Sequence, residues 1–172
     1  MPTLKFDNAI VTNMVEEALV FCAGKAGLKD KKQAGDVLLT GDCCVCEYLR
    51  YALAQKMAAY LGSVDDTIRA VYTFEPEEAT CGDEAIPARP NLSPGFNLIA
   101  RVSRKSAALS SVVASLRSAL AEEYQRLGCP NATALCSELD VRAVDEDEIE
   151  TRTGYGALID SLYVRPIEVW HR

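Results

Sequence analysis

Apolar residues recur at three- and four-residue spacing in three segments of the chain, and this periodicity predicts three helices. Each segment begins at a residue type that commonly caps a helix, and each stops before a glycine. The predicted helices begin near Asn13, at Asp42 and at Ser106, and they end before Gly24, Gly62 and Gly128.

The helix predicted after Asp42 is apolar on most of its sides. Its polar residues are scattered around the helix rather than gathered on one face: Glu47, Arg50, Gln55 and Lys56. A helix of this kind is usually covered on most sides. We therefore expect it to be sandwiched inside the domain or to lie in a subunit interface.

Alternation of side-chain character with period two predicts β-strands. The strand segments are Thr67 to Phe74, Phe96 to Ser103, Glu138 to Val144 and Leu162 to Trp170, with a short additional candidate at Val37-Leu38-Leu39. Because Pro166 lies in the last segment, that strand is expected at a sheet edge or at a bulge.

The main elements follow the order α-α-β-β-α-β-β and predict an α+β (mixed α/β) domain with helices packed on a four-stranded mixed sheet. The connection from Ser103 through the long helix to Glu138 has the length of a crossover, so the strands it joins should be parallel. The outer neighbours are expected to pair antiparallel. Residues 1–172 are expected to form one domain.

Three stretches between the predicted elements are expected to be irregular. The Pro-rich segment 75–95 is long for a loop, and it is interpreted as either a flap over a site or a disordered hairpin loop. The Lys-rich segment 25–32 and the acidic segment 145–150 are both expected to be solvated connectors, since the acidic run lacks the spacing of a calcium loop.

Composition places the chain among ordinary globular proteins, with 49% hydrophobic and 25% charged residues. A net charge of -7 repels phosphate backbones and disfavours nucleic acid as a partner. No apolar run approaches the length of a membrane span, and the N-terminal segment lacks the layout of a signal peptide. A cytoplasmic location and no membrane association are therefore expected.

Four arginines lie within the predicted strands: Arg69, Arg101, Arg142 and Arg165. The first three occupy positions opposite the better apolar face of their strands. If the strands align, one sheet face carries several guanidinium groups, which suit carboxylate or phosphate ligands. The alternative is that they pair with neighbouring acids such as Asp140 or Glu168.

A second candidate anion site lies where a strand meets a helix, at Arg104, Lys105 and Ser106. Unpaired N–H groups at a helix start favour negative charge. The alternative is a serine cap with two solvent-facing basic side chains. No Gly-rich phosphate loop is present, so nucleotide binding is not indicated.

Cysteines supply the rival hypothesis, since Cys43 and Cys46 form a C-x-x-C motif in the first turn of the helix capped by Asp42. With Val37-Leu38-Leu39 upstream, the outline of strand, C-x-x-C and helix resembles thioredoxins over about a quarter of the chain. The resemblance implies that Cys43 attacks and Cys46 resolves, with Pro94 at the position of the family's cis-proline. The family's Gly-Pro between the cysteines is absent here, and burial as small apolar residues is the alternative.

The sequence contains few residues with the spacing needed to bind a metal or a cofactor. A four-cysteine zinc site needs a second close pair, whereas Cys129 and Cys136 are separated by six residues. The only histidine, His171, is interpreted as an exposed residue next to the C-terminus. No metal and no cofactor are therefore expected.

Together these features predict a non-catalytic domain that binds an anionic small molecule or an acidic partner on an Arg-bearing sheet face. Thiol–disulfide exchange at Cys43 and Cys46 is the alternative, and whether any reaction is catalysed stays undecided. Self-association into a homo-oligomer is expected through the apolar second helix or through a sheet edge.

Overall fold

A computed structural model of the chain describes residues 7–40, 42–74, 96–128, 139–162 and 166–172, without the side chains of Cys43, Cys44 and Phe96. The elements in these ranges are α1 (Asn8–Ala26), α2 (Lys31–Leu39), α3 (Cys43–Val64), β1 (Ile68–Phe74), β2 (Phe96–Val102), α4 (Ala107–Arg126), β3 (Leu139–Val144), α5 (Glu146–Glu150), α6 (Gly156–Ile159) and β4 (Pro166–His171). They confirm the predicted α+β class.

The four strands form one mixed sheet in the order β3-β2-β1-β4. Strands β2 and β3 are parallel and are joined through α4, which confirms the predicted crossover. Strand β1 pairs antiparallel with both β2 and β4. Strand β4 is an edge of this sheet, as Pro166 led us to expect, and it begins at Pro166 rather than at the predicted Leu162.

Helices cover one face of the sheet in two layers. Helices α3 and α4 contact the strands, and α1 packs across α3 and α4 from outside. Helix α3 is therefore sandwiched between the sheet and α1, which explains why it is apolar on most sides. Its side chains at Leu49, Leu53 and Met57 are fully buried.

The N-terminal third differs from the sequence-based expectations. Helix α1 begins earlier than predicted because Asp7, rather than Asn13, caps it through the Ala9 N–H. The Lys-rich connector is shortened, because Asp30 caps α2 and accepts from the Gln33 N–H. The predicted strand at residues 37–39 is wrong, since these residues are helical and α2 buries Leu38.

A bulge alters the alternation predicted for β1. Ile68 pairs with Val102, but the next paired residue is Ala70 rather than Arg69, opposite Arg101. The extra residue shifts the strand by one position, so Ile68 and Val71 both face the helices. Strict alternation along the predicted strand would put Ile68 and Ala70 on one face, and this expectation is wrong because Ala70 faces the opposite side.

Two helix details also differ from expectation. Helix α3 continues through Gly62 and ends at Val64, and the acidic segment forms the short helix α5 instead of an irregular connector. Helix α4 agrees with prediction, since Ser106 caps its start and Gly128 adopts a left-handed conformation after its end. The predicted loop at 75–95 lies outside the described residues.

Candidate functional site

The sheet face opposite the main helices brings two of the predicted arginines together. In the parallel register of β2 and β3, Ile99 lies beside Arg142 and Arg101 lies beside Val144. Because side chains alternate along a strand, Arg101 and Arg142 share this surface, as the sequence predicts. We call it the second sheet face; it contains Ala70, Tyr72, Ile99, Arg101, Asp140, Arg142, Val144 and Glu168.

Arg101 is held by an acidic residue from α5. Its Nε and Nη2 atoms donate to the two carboxylate oxygens of Glu146 at 2.7 and 2.9 Å, a bidentate pair. This hydrogen bonding raises the pKa of Arg101 above its ordinary value, against a smaller opposing effect of burial. The Arg101 side chain remains 40% exposed and that of Glu146 remains 46% exposed.

Helix α5 positions Glu146 beside Arg101. Only Asp145 separates the end of β3 from the start of this helix. Asp145 caps the helix by accepting from the Glu148 N–H, and the Glu148 carboxylate accepts from the Asp145 N–H in return. This capping box fixes the first turn, where Glu146 is the first helical residue. The acidic segment therefore has a structural role that its composition alone does not indicate.

Three further residues extend the polar cluster across β1 and β4. The Tyr72 hydroxyl interacts with both Arg101 and Glu168, and His171 Nδ1 lies 2.9 Å from Glu168 Oε1. Burial, followed by the Glu168 carboxylate, raises the pKa of Tyr72 above its ordinary value. The result is a chain of polar contacts from Glu146 through Arg101, Tyr72 and Glu168 to His171.

Sequence reasoning missed the place of His171 in this cluster. The three-residue spacing between Glu168 and His171 does not signal this contact. A regular strand puts such residues on opposite faces, but β4 pairs Glu168 with Tyr72 and then Trp170 with Val71, which marks a bulge. A bulge restores both side chains to one side of the strand.

Arg142 is also paired. Its Nε atom donates to Asp140 Oδ2 at 2.9 Å, and its guanidinium lies 5.4 Å from the centre of the Tyr155 ring. Hydrogen bonding to Asp140 is the main cause that raises the pKa of Arg142. The pairing with a neighbouring acid, stated above as the alternative, is what the structure has at Arg101 and Arg142.

The other predicted arginines are placed differently. Arg69 lies at the β1 bulge and is exposed, and its carbonyl accepts from the Arg172 N–H at 2.9 Å. No carboxylate within the described ranges forms an ion pair with it. Arg165 lies outside the described residues.

The second candidate patch is divided among separate contacts. Lys105 pairs with Glu148 at 2.8 Å, which raises the pKa of Lys105. The Ser106 hydroxyl accepts from the Ala108 N–H and so acts as the helix cap. Arg104 is exposed and contributes the remaining basic side chain of this patch.

The structure contains the helix predicted to begin at the cysteine motif, but not the strand predicted before it. Asp42 caps α3 through the Val45 N–H, so Cys43 is the first helical residue, as expected. Residues 37–39 belong to α2, so the strand required by the thioredoxin-like outline is absent at this position. Pro94 lies outside the described residues. Cys46 is half-buried, and its proximity adds to the effect of burial in raising the pKa of Cys22 to about 11.

Among the residues that the structure describes, no cluster of three His, Cys, Asp or Glu side chains is arranged to hold a metal ion. A shallow groove of about 270 Å³ lies between α4 and β3, away from the second sheet face. Its lining includes Ser110, Val113, Arg117 and Val141.

Comparison with protein-family models, curated proteins and solved structures finds no match to this chain. The described helices include none with the length and apolar character needed to cross a membrane.

Proposed function

We propose that this protein is a binding domain for a carboxylate-bearing ligand, either a small molecule or an acidic protein partner, with Arg101 as the central contact. The observation that carries the proposal is the bidentate pair between Arg101 and Glu146 on a partly exposed sheet face. Its geometry is the one by which arginine recognises a carboxylate from outside. Glu146 stands in the position of such a ligand.

The pair between Arg101 and Glu146 is weak enough for an external carboxylate to replace Glu146. Ion pairs with both side chains substantially exposed stabilise a protein by about 0 to 1 kcal/mol. An external carboxylate that displaces Glu146 therefore loses at most about fivefold in affinity to this competition. The Arg142 guanidinium, on the adjacent strand and the same face, supplies a second contact for a dicarboxylate or an acidic peptide.

Exchange also needs mobility of the element that carries the competitor. Glu146 belongs to a helix of only five residues, whereas Arg101 lies in β2, one of the two middle strands of the sheet. Displacement of Glu146 therefore requires movement of a short surface helix and leaves the sheet unchanged. Ligand binding is expected to order the guanidinium around the new carboxylate.

The test is isothermal titration of the protein with succinate, citrate, phosphate and sulfate at pH 7 and low salt. Glu146→Gln removes the internal competitor, and we expect it to raise carboxylate affinity by up to about fivefold. Arg101→Ala should abolish binding. Arg101→Lys should also weaken it strongly, because a lysine keeps the charge but lacks the fork.

Arg126→Ala provides the matched control. Arg126 also pairs with a glutamate, Glu123, at 3.1 Å, but it lies on α4 away from the second sheet face. This variant should bind like the parent protein. The proposal fails if neither the parent protein nor Glu146→Gln binds succinate or citrate, if only phosphate or sulfate binds, or if Arg101→Ala binds equally well.

The proposed partner is a carboxylate rather than a nucleic acid, because a chain with a net charge of -7 repels phosphate backbones. A cytoplasmic setting is proposed on the sequence grounds given above. Fractionation of cells that express the full chain, with probes for both soluble and membrane fractions, tests that setting.

Thiol–disulfide exchange is the second candidate, and one observation favours it. Asp42 caps α3 at Cys43, and the first turn of a helix stabilises a thiolate. Cys43 would attack a partner's disulfide and Cys46 would resolve the mixed disulfide, which releases two partner thiols and leaves Cys43 and Cys46 oxidised. Reaction with iodoacetamide between pH 5 and 9 should then show one fast thiol that Cys43→Ser removes. Slow modification of every thiol below pH 8 would contradict this function.

A further inference from the structure

Strand β3 presents its outer edge without a neighbouring strand among the described residues. Edge strands carry unpaired backbone N–H and C=O groups that can pair with another chain. Two different surfaces flank this edge. Asp140 and Arg142 lie on the second sheet face, and Val141 and Ala143 lie on the side of the helices.

The helix side of this edge is an open groove with an apolar floor and a mixed polar and apolar lining. Val141 and Ala143 form its floor and are only half-buried, while Leu109, Ser110 and Ala114 of α4 form its wall. Arg117 closes one end, because its Nε and Nη2 atoms donate to the Leu139 carbonyl at 3.0 and 2.8 Å. Because Ser110 and Ala114 are small, the wall leaves room for another apolar element beside α4.

We propose that the β3 edge binds the β3 edge of a second copy of this chain, antiparallel and about a two-fold axis at Val141. The self-interface does not require the proposed ligand, whose central contact is Arg101, although Arg142 borders both surfaces. A second copy is the expected partner because Asp140 and Arg142 of β3 are complementary to Arg142 and Asp140 of an identical antiparallel strand in one register.

Three two-fold registers keep the second sheet faces of both copies on one side and are centred in the middle of β3, on residue 140, 141 or 142. Centres at Asp140 and Arg142 each oppose two like charges, which is unfavourable. Centring at Val141 instead opposes Asp140 of each copy to Arg142 of the other, which gives two attractive cross-strand pairs.

This register also suits the helix side. It places Val141 against Val141 of the second copy and Leu139 against Ala143, so the apolar floor of the groove continues across the axis. Both α4 helices then lie on the same face of one eight-stranded sheet, which is four strands from each copy. The half-exposed apolar residues of β3 thereby gain cover that one chain lacks.

Sedimentation of the full chain and of two charge reversals tests the interface. The parent protein should have twice the 18.7 kDa mass of one chain at high concentration. Asp140→Arg opposes arginine to arginine and Arg142→Asp opposes aspartate to aspartate, so each should raise the dissociation constant by about tenfold or more. An equimolar mixture of the two variants should recover the dimer, because each arginine then faces an aspartate.

Mixing the two variants distinguishes contacts between copies from the Asp140–Arg142 pair within one chain. Neither variant regains its own Asp140–Arg142 contact, which is 2.9 Å long in the parent protein. Recovery on mixing can therefore come only from contacts between copies. Asp36→Arg and Lys32→Asp reverse an exposed pair on α2 and serve as controls that should leave the dimer unchanged.

Hydrogen exchange of the parent protein provides a measurement that needs no variant. Amides in 139–144 should exchange more slowly as the protein concentration rises from 5 to 200 µM, while amides of α2 should not change. The proposal is overturned if the parent protein is monomeric across this range, if either reversed variant dimerises like the parent, or if the mixture stays monomeric.

Discussion

Gly62 of α3 lies directly against Trp170 of β4, and a Cβ atom on Gly62 would come within 2.3 Å of the indole ring. This close approach allows the edge strand to pack on the helix. It also explains why a glycine lies inside α3, which continues to Val64 instead of ending before Gly62 as the sequence predicts. The glycine serves packing between two elements rather than helix termination.

Gly62→Ala is therefore expected to destabilise the protein. Alanine gains about 1 kcal/mol in helix propensity over glycine. Overpacking of a well-filled site typically costs about 1 to 3 kcal/mol. Because the clash is with a large ring, we expect the overpacking to exceed the gain. Urea unfolding of the variant should give a lower midpoint than that of the parent protein.

Gly35→Ala is the matched control for this substitution. Gly35 lies in α2, and a Cβ atom there would have no other atom within 4 Å. The same chemical change should stabilise the protein by roughly 0.5 to 1 kcal/mol. Equal gains at both positions would show that Trp170 does not approach Gly62 in solution.

Periodicity predicts this fold well where one physical effect dominates the local sequence. Ser106 and Gly128 mark α4 because a capping side chain and a left-handed glycine act over single residues. The parallel pairing of β2 and β3 follows from the length of the crossover. Burial of a helix against other helices leaves a weaker pattern in the sequence, so the helical conformation of Val37 to Leu39 was not predicted.

The candidate site was predictable only in part. Alternation places Arg101 and Arg142 on one face, because β2 and β3 are regular strands. It cannot place Arg69, because a bulge changes the parity of β1. Nor does it reveal that Glu146 reaches Arg101, since this contact depends on how the chain turns after β3. Bulges and turns are set by tertiary contacts that a single sequence does not display.

Glu123 is a buried carboxylate that depends on a hydroxyl from another helix. It is 8% exposed, and its Oε2 atom accepts from Thr12 Oγ1 of α1 at 2.9 Å and from Arg126 Nη1 at 3.1 Å. Thr12→Val keeps the side-chain shape but removes the donor. We expect a loss of about 1 to 2 kcal/mol in the free energy of unfolding, measured with urea.

Thr12→Ser retains the hydroxyl and serves as the control. It removes one methyl group but leaves the donor to Glu123. Its loss should be less than half of that seen in Thr12→Val. A larger loss in the serine variant would mean that packing of the methyl group, and not the hydrogen bond, stabilises the contact between α1 and α4.

Helix α5 should depend on its capping box. Asp145→Ala removes the acceptor for the Glu148 N–H, a change that typically costs about 1 kcal/mol of helix stability. Amides of 147–150 should then exchange with solvent about fivefold faster. Asp147→Ala removes the same charge from an exposed position in the helix without removing a cap, so its exchange rates should stay close to those of the parent.

Cys22 should make stability decrease at alkaline pH. The residue is fully buried between α1 and α3, and its Sγ atom donates to the Val45 carbonyl at 3.8 Å. Burial, with a smaller effect from Cys46, raises the pKa of Cys22 from 9.0 to about 11. A raised pKa in the folded state means that the folded protein holds this proton more tightly than the unfolded chain does.

The stabilisation from this proton is therefore complete below pH 9 and is lost as the pH rises through 11. Urea unfolding at pH 8, 9, 10 and 11 should show a fall in the free energy of unfolding, to which Cys22 contributes roughly 2 to 3 kcal/mol. Cys22→Ala is less stable at pH 8 because it leaves a small cavity, but its decline with pH should be shallower. Lysine and tyrosine titrate in both proteins, so the difference between the two slopes isolates the thiol, and parallel slopes would show that Cys22 ionises at its ordinary pKa.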